Sequence, residues 1–278
     1  MKNFAAILFC ALISAAVFVP LSGRAGGPLT IFEPKTFVPV DITRADVSDL
    51  RLAPELKELG SSRVLEAQRR QSYASVDAAR AHVTFPVRTI ASLPPQFRSA
   101  GSFVVVSPGE YAFTFSAAKA RAFAARAHRR IPAMPPGLDG TTVRIHVGEI
   151  FHARYGRLEE RRERMGSLHL VEMQAPSVTS TGASLPSLEQ YVLSLPNISP
   201  KLAAQIRTLG DLNQTLPIPI LADRQTARRV TVDGVEGLAV GDNTGLGAGV
   251  IWEKGGIVYG IAGPVRMDDV LAFANALR

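Results

Sequence analysis

Cysteine is nearly missing from this 278-residue chain: one occurs, Cys10, inside an N-terminal apolar run. Disulfides are therefore excluded for whatever follows that run, although an oxidising compartment would permit them. Stability has to come from a packed core, and a chain of this length can bury one. Aromatics are scarce at 7%, with a single tryptophan, Trp252. Basic residues are scattered rather than interleaved with aromatics, so the stacking surface that grips single strands is missing and no nucleic-acid partner is expected. No Gly-x-Ser-x-Gly elbow occurs, and no oriented Ser–His–acid set can be read from the sequence. The chain is expected to be no enzyme and to need no cofactor.

What is present begins at the N-terminus. Met1-Lys2-Asn3 supplies a basic start, Phe4 to Leu21 an apolar segment, and Gly23-Arg24-Ala25 a small-residue exit. That order predicts a secretory leader over 1–25 and an exported, periplasmic or cell-envelope protein, tethered to the membrane if the leader is retained. Cys10 follows the bulky Phe9, so it does not read as a lipid-anchored cysteine. Only three residues precede the apolar run, which leaves no room for a cytoplasmic domain. Net charge is +7, of which Lys2 and Arg24 supply two, so +5 remains for the exported part. That excess suits an anionic surface such as lipid head groups, and peripheral membrane contact is compatible with it.

Residues 26–71 read as a Pro-punctuated extended arm (Pro28, Pro34, Pro39) that continues into a charged stretch with short helices. Residues 72–278 read as one domain. Ser75 is a predicted N-cap with Asp77 in the first turn. Phe103–Val106 and Glu110–Phe115 suggest a hairpin around Ser107-Pro108-Gly109, and Tyr111, Phe113 and Phe115 give the second strand an aromatic face. Ser116–Arg130 reads as a helix. Thr141–Tyr155 reads as one half-buried strand, with Val143, Ile145, Val147, Phe151, Ala153 and Tyr155 on one parity. Arg157–Arg164 suggests an exposed hairpin tip, with a partner strand over Ser167–Gln174.

Two helices follow: one opened by a capping box at Ser187–Gln190, one by Ser199 with Pro200 at its first position and closed near Gly210. Leu216–Pro219 reads as an extended connector. Strands are predicted over Arg228–Val232, Val235–Val240, Gly249–Glu253 and Ile257–Ile261, with a last helix over Asp268–Leu277. Short turns imply antiparallel pairing, and the class is α+β.

The segments Val232–Val240 and Gly249–Gly263, the terminal helix, and the earlier Phe85-Pro-Val and Leu93-Pro-Pro resemble a bacterial family of unknown function. That family occurs in extracytoplasmic parts of anti-sigma factors and in stand-alone exported proteins. Its relatives, the periplasmic lipoprotein carriers and sigma-factor regulators, imply a curved antiparallel sheet, a half-open barrel, wrapped over helices with an apolar concavity. The resemblance carries no functional residues with it. With no cytoplasmic domain ahead of the leader, a stand-alone binding protein is expected rather than a sigma-factor binder.

Candidate chemistry is thin. Gly245, Gly247 and Gly249 precede a strand where a dinucleotide fingerprint needs a helix. His146 and His152 share a strand face roughly 20 Å apart, too far for one ion, while His169 can approach one of them from the partner strand. No metal site is expected. Trp252 alternates with Val250 and reads first as core. With Tyr111, Phe113, Phe115 and Tyr259 it forms the predicted apolar cleft, for a lipid, an acyl chain or a lipoprotein, with peripheral Arg and Lys on the head group. The alternatives are a regulatory domain that meets an envelope protein through its surface and has no cavity, or an unrecognised hydrolase.

Overall fold

The structure, a computed structural model, describes residues 29–49, 58–98, 101–127, 131–156, 166–183, 185–196, 198–210 and 212–278. The predicted leader (1–25), the charge run at 157–164 and the cations at 128–130 lie outside the described residues. The class is α+β, mostly antiparallel sheet with six α-helices among the described residues.

Four strand pairs organise it: β3 (Gly60–Glu66) with β4 (Arg70–Tyr73), β5 (Ser102–Val106) with β6 (Gly109–Phe115), β7 (Thr142–Val147) with β8 (Ile150–Tyr155), and β9 (Leu168–Gln174) with β10 (Ser177–Ser180). In each pair the chain leaves one sheet and enters the other after two or three residues. The smaller sheet runs β1 (Leu29–Phe32)–β10–β7–β6–β3. The larger runs β12 (Gln225–Val232)–β13 (Val235–Asp242)–β14 (Ala248–Lys254)–β15 (Ile257–Gly263)–β9–β8–β5–β4. The four partners keep one order in both sheets, so four long strands bend together along a single corner. The two sheets do not close into a barrel.

The corner explains two differences from the sequence reading. Phe103–Val106 and Glu110–Phe115 do not form a hairpin: β5 pairs with β4 and β8, β6 with β3 and β7. Thr141–Tyr155 is not one strand but two, divided at Gly148-Glu149. Pro and Gly mark a bend as readily as a reversal, because both supply backbone that a regular ladder does not use. Across the corner Gln174 N–H donates to the Glu149 carbonyl at 3.0 Å, and Ser107 N–H to that of Arg69 at 2.9 Å. A Cβ on Gly148 would lie 2.5 Å from the Gln174 carbonyl oxygen, so the strands approach there only because it is glycine.

The 26–71 segment is not an arm where it is described. β1 pairs with β10, and β2 (Thr36–Ile42) pairs in parallel with β11 (Thr215–Leu221). Phe32 and Phe37 are 2% and 3% exposed. Scattered prolines hid these strands. Pro217 and Pro219 fall on one parity of β11, and in a two-stranded ribbon that parity can turn outward and donate no ladder bond. Leu216–Pro219 is thus a strand rather than a connector, and its parallel pairing departs from the all-antiparallel expectation. Residues 60–66 and 70–73 are strands, not helices.

Helices follow their caps. α1 (Arg44–Asp49) opens on Thr43, whose backbone N–H and hydroxyl both donate to Asp46 while Asp46 N–H returns to Thr43 Oγ1. α2 (Val76–Arg80) is capped by Ser75, and α5 (Pro200–Arg207) by Ser199 with Pro200 in its first turn. α3 spans Ala117–Ala127. α4 (Leu185–Leu193) begins two residues before Ser187, so the predicted capping box is inside the helix, yet Leu188, Tyr191, Val192 and Leu195 are buried as expected. α6 (Met267–Asn275) buries Val270 and Ala274. The Asp233-Gly234 turn has φ of +51° and +79°, the left-handed pair that a tight two-residue hairpin requires.

The larger sheet is covered on both faces. Its convex face packs on α6 and Phe85, Val87 and Ile90, with Trp252, Phe151, Leu170 and Ile261 in the layer. Its concave face shares a second core with the inner face of the smaller sheet, with β2, and with α4 and α5. α4, α5 and the β2–β11 ribbon thus fill one end of the concavity, where β2 packs on β13 and β14.

Candidate functional site

Strand register places every predicted site residue on a definite face. On the smaller sheet Tyr111 pairs with Ile145 and Val64, and Phe113 with Val143 and Ser62, all on the inner face. Phe115 is buried in the inner core, and Phe113 meets it edge-on at 4.9 Å between ring centroids. Trp252 and Tyr259 sit elsewhere. They pair with each other on the convex face, stacked at 5.2 Å, and Trp252 is 0% exposed. The five aromatics therefore do not line one cleft: Tyr111, Phe113 and Phe115 face the concavity, while Trp252 and Tyr259 are core on the other side of a sheet. Both parities of a two-faced buried sheet are apolar, and alternation alone cannot tell which face opens.

The concave face of the larger sheet carries three cross-strand rows near the β4 edge. The row nearest the corner is Arg70, Val106, Ile150, Met173; the next is Ser72, Val104, His152, Val171, Gly260, Ile251. The third is Ser102, Arg154, His169, Ala262, Gly249, Val240. Gly260 and Gly249 leave backbone bare on this floor, and a Cβ at Gly260 would meet nothing closer than 3.9 Å. Val171, Gly260, Ile251 and Ala262 are half-buried, as are Tyr111 and Phe113 on the facing wall. These residues line the concave faces of the two bent sheets, a trough-shaped bend in which Tyr111, Phe113 and Ile251 pack against the shared core.

One side of the trough is basic. His152 Nε2 and His169 Nδ1 are 3.0 Å apart, with rings stacked at 5.2 Å. The approach of His169 to a histidine of the preceding strand follows from the β8–β9 pairing, and His146, on β7, lies in the other sheet. Burial, then the charges of His169, Arg70 and Arg154, push His152 down to about 3. Burial, then Arg154, pushes His169 down to about 4. Both rings are neutral at pH 7. Two nitrogens at this separation invite a metal, but no group of three or more His, Cys, Asp or Glu side chains that could hold one occurs among the described residues. The neighbouring guanidinium groups also disfavour a cation.

No family model, curated protein or solved structure matches the chain. The likeness to the extracytoplasmic family therefore rests on its motifs, and the site has to be argued from geometry.

Two other polar places were not foreseen. On the convex face Glu172 is 0% exposed, and both its oxygens accept the Arg88 backbone N–H at 3.1 Å. Burial pushes its carboxyl up to about 7, against the pull of the Arg88 N–H and the charges of Arg88 and Arg80. The Arg88 guanidinium lies over the Tyr259 ring and pairs with Asp233, holding that carboxyl below the usual range. Glu149 accepts Thr84 N–H and hydroxyl, so two buried carboxylates anchor the 84–88 segment to the sheet. Glu172 carries no sequence signal beyond a polar residue in an apolar strand, and Glu149 none beyond its place between two apolar runs.

The second place is a cavity of about 320 Å³ at the ends of β12–β14, lined by Thr226, Arg228, Asp242, Gly245, Gly247 and Met267. Its Asp242 Oδ1 is taken up by Thr244 N–H and hydroxyl and by Leu246 N–H, which shapes the glycine turn. None of the predicted aromatics reaches it.

Proposed function

We propose that this is an exported, non-enzymatic binding protein of the cell envelope that buries one apolar chain, of a lipid or of a lipoprotein's acyl group, in the trough between its bent sheets. The observation that carries this is the half-buried apolar lining itself. Tyr111 and Phe113 on one wall and Val171, Ile251 and Ala262 on the floor stay half-buried beside the shared core, while the convex face of the larger sheet is covered by α6 and the 85–90 segment. Exposed apolar surface that is concave and continuous is where ligands bind. The unclosed, cornered sheet supports the half-open-barrel reading, and the resemblance to lipoprotein carriers points the same way.

Native mass spectrometry of the purified protein, with titration of a neutral monoacylglycerol, tests it. A co-purified lipid or saturable binding, weakened at least tenfold by Phe113→Asp with the fold intact by circular dichroism, is expected. A ligand-free protein that binds no acyl chain overturns it. The edge strand β3 favours a second reading. Val64 and Leu65 are 58% and 39% exposed on a strand that ends its sheet among the described residues, which suits strand addition by an envelope protein. Capture of a partner that Val64→Lys abolishes, by a protein that binds no lipid, would favour it.

A further inference from the structure

We propose that the cavity at the ends of β12–β14 is a binding site for a small organic monocarboxylate, its head held by Arg228 and Thr226 and its apolar body lying over Gly241 against Met267. The site is on the convex face, across the larger sheet from the trough, and stands whether or not an acyl chain binds there. Strand register builds it. Arg228 is opposite Ala239, in a row that continues through Val250 to Ile261, all convex-face core. Thr226, two residues earlier, and its partner Gly241 therefore share that face. Ala248 extends the second row, and Met267 closes it from the first turn of α6. A Cβ on Gly241 would come within 3.2 Å of Met267 Cε and 3.7 Å of Thr226 Oγ1, so the glycine keeps the floor between them open. At about 320 Å³ the cavity is at the small end of ligand pockets, which run from about 300 to 1,000 Å³.

Its charges choose the ligand. Arg229 pairs with Glu236 and Arg224 with Asp223, whereas the Arg228 guanidinium and the Thr226 hydroxyl make no hydrogen bond or ion pair among the described residues. The two residues stand about 7 Å apart along one strand face, and a carboxylate between them accepts from both. Asp242, which also lines the cavity, is already committed. Its Oδ1 accepts Thr244 N–H and hydroxyl and Leu246 N–H, and the Thr244 hydroxyl and the loop N–H groups hold the carboxyl below the usual range. That fixed negative charge tolerates a monoanion seated on Arg228 and penalises a dianion. Met267 and Ala248 supply the apolar side. Leu246, between the lining Gly245 and Gly247, is 69% exposed, so the turn beside the cavity offers apolar surface rather than charge.

NMR of the purified protein, isotope-labelled at its methionine methyl groups and titrated with hexanoate, hexanol, hexylammonium and hexyl phosphate at about pH 8, tests the site. The Met267 signal is identified by its loss in Met267→Leu. Hexanoate should shift it saturably, with hexanol and hexylammonium about tenfold weaker and the dianionic hexyl phosphate weaker than hexanoate. Arg228→Gln, at an exposed position on an edge strand, should bring hexanoate down to the level of hexanol. Gly241→Ala, which fills the floor, should weaken both. Equal binding of hexanoate and hexanol, or hexylammonium as tight as hexanoate, overturns the carboxylate assignment. Tighter binding of hexyl phosphate overturns the choice of a monoanion, and undiminished hexanoate binding by Arg228→Gln overturns the role of Arg228. A Met267 signal that no probe moves overturns the site itself, even where hexanoate binds elsewhere on the protein. If Gly241→Ala loses its fold by circular dichroism, Arg228→Gln carries the comparison.

Discussion

Glu172 is a carboxyl group sealed in an apolar layer with one backbone N–H for company, and its ionisation opposes folding. In the unfolded chain it ionises near 4.5; in the folded protein near 7. Its contribution to stability is fully present below about pH 4.5 and is lost as pH rises through 7. Glu172→Gln keeps an acceptor for Arg88 and removes the charge. Relative to wild type it should gain on the order of 3 kcal/mol between pH 4.5 and pH 8, read by urea denaturation at each pH. Trp252 shows the other side of residue-scale inference. Full burial against Tyr259 makes it core, and truncating such a residue costs about 3–5 kcal/mol for packing reasons alone. A rare aromatic on an alternating strand announces burial, not which face is buried.

Among elements, the corner is the decisive feature. Gly148 lets β7 pass into β8 against Gln174, and any Cβ there collides with backbone rather than with a flexible side chain. Gly148→Ala should destabilise by about 2 kcal/mol and lower Tm by roughly 4–8 °C. Gly260→Ala, whose Cβ would make only ordinary contact at 3.9 Å with the Val250 carbonyl oxygen, should leave Tm within a degree or two. Differential scanning calorimetry of the pair checks both. Helix starts were legible from local chemistry, as at Ser75 and Ser199, because a cap is made by residues three apart in sequence. Ser187 misled for the same reason that it looked right: the capping pattern was present, but buried contacts of Leu188 and Tyr191 let the helix extend backward over Pro186. The corner was not legible. Ser107-Pro108-Gly109 satisfies the local demands of a reversal and of a bend alike, and only the partner strands choose between them.

For the whole molecule, three strongly shifted groups act together on the acid limb of stability. Between about pH 4.5 and 6.5 the unfolded chain carries protonated His152 and His169 and an ionised Glu172; the folded chain carries neutral rings and a protonated carboxyl. The unfolded state thus binds two protons where the folded state binds one. Stability should rise with pH across that window by about 1.4 kcal/mol per unit, and Glu172→Gln should double the slope. Denaturant midpoints at pH 5.0, 5.5 and 6.0 measure it. The sequence by itself determined the α+β class, the C-terminal meander, most caps and the shortage of disulfides, because each follows from neighbours along the chain. Tertiary structure alone decided that β1 and β2 belong to the core, that β5 and β6 lie in different sheets, and that Tyr111 and Trp252 face opposite sides. Those outcomes depend on which distant strand supplies the missing hydrogen bonds, and period-two alternation is the same whichever face is turned to the trough.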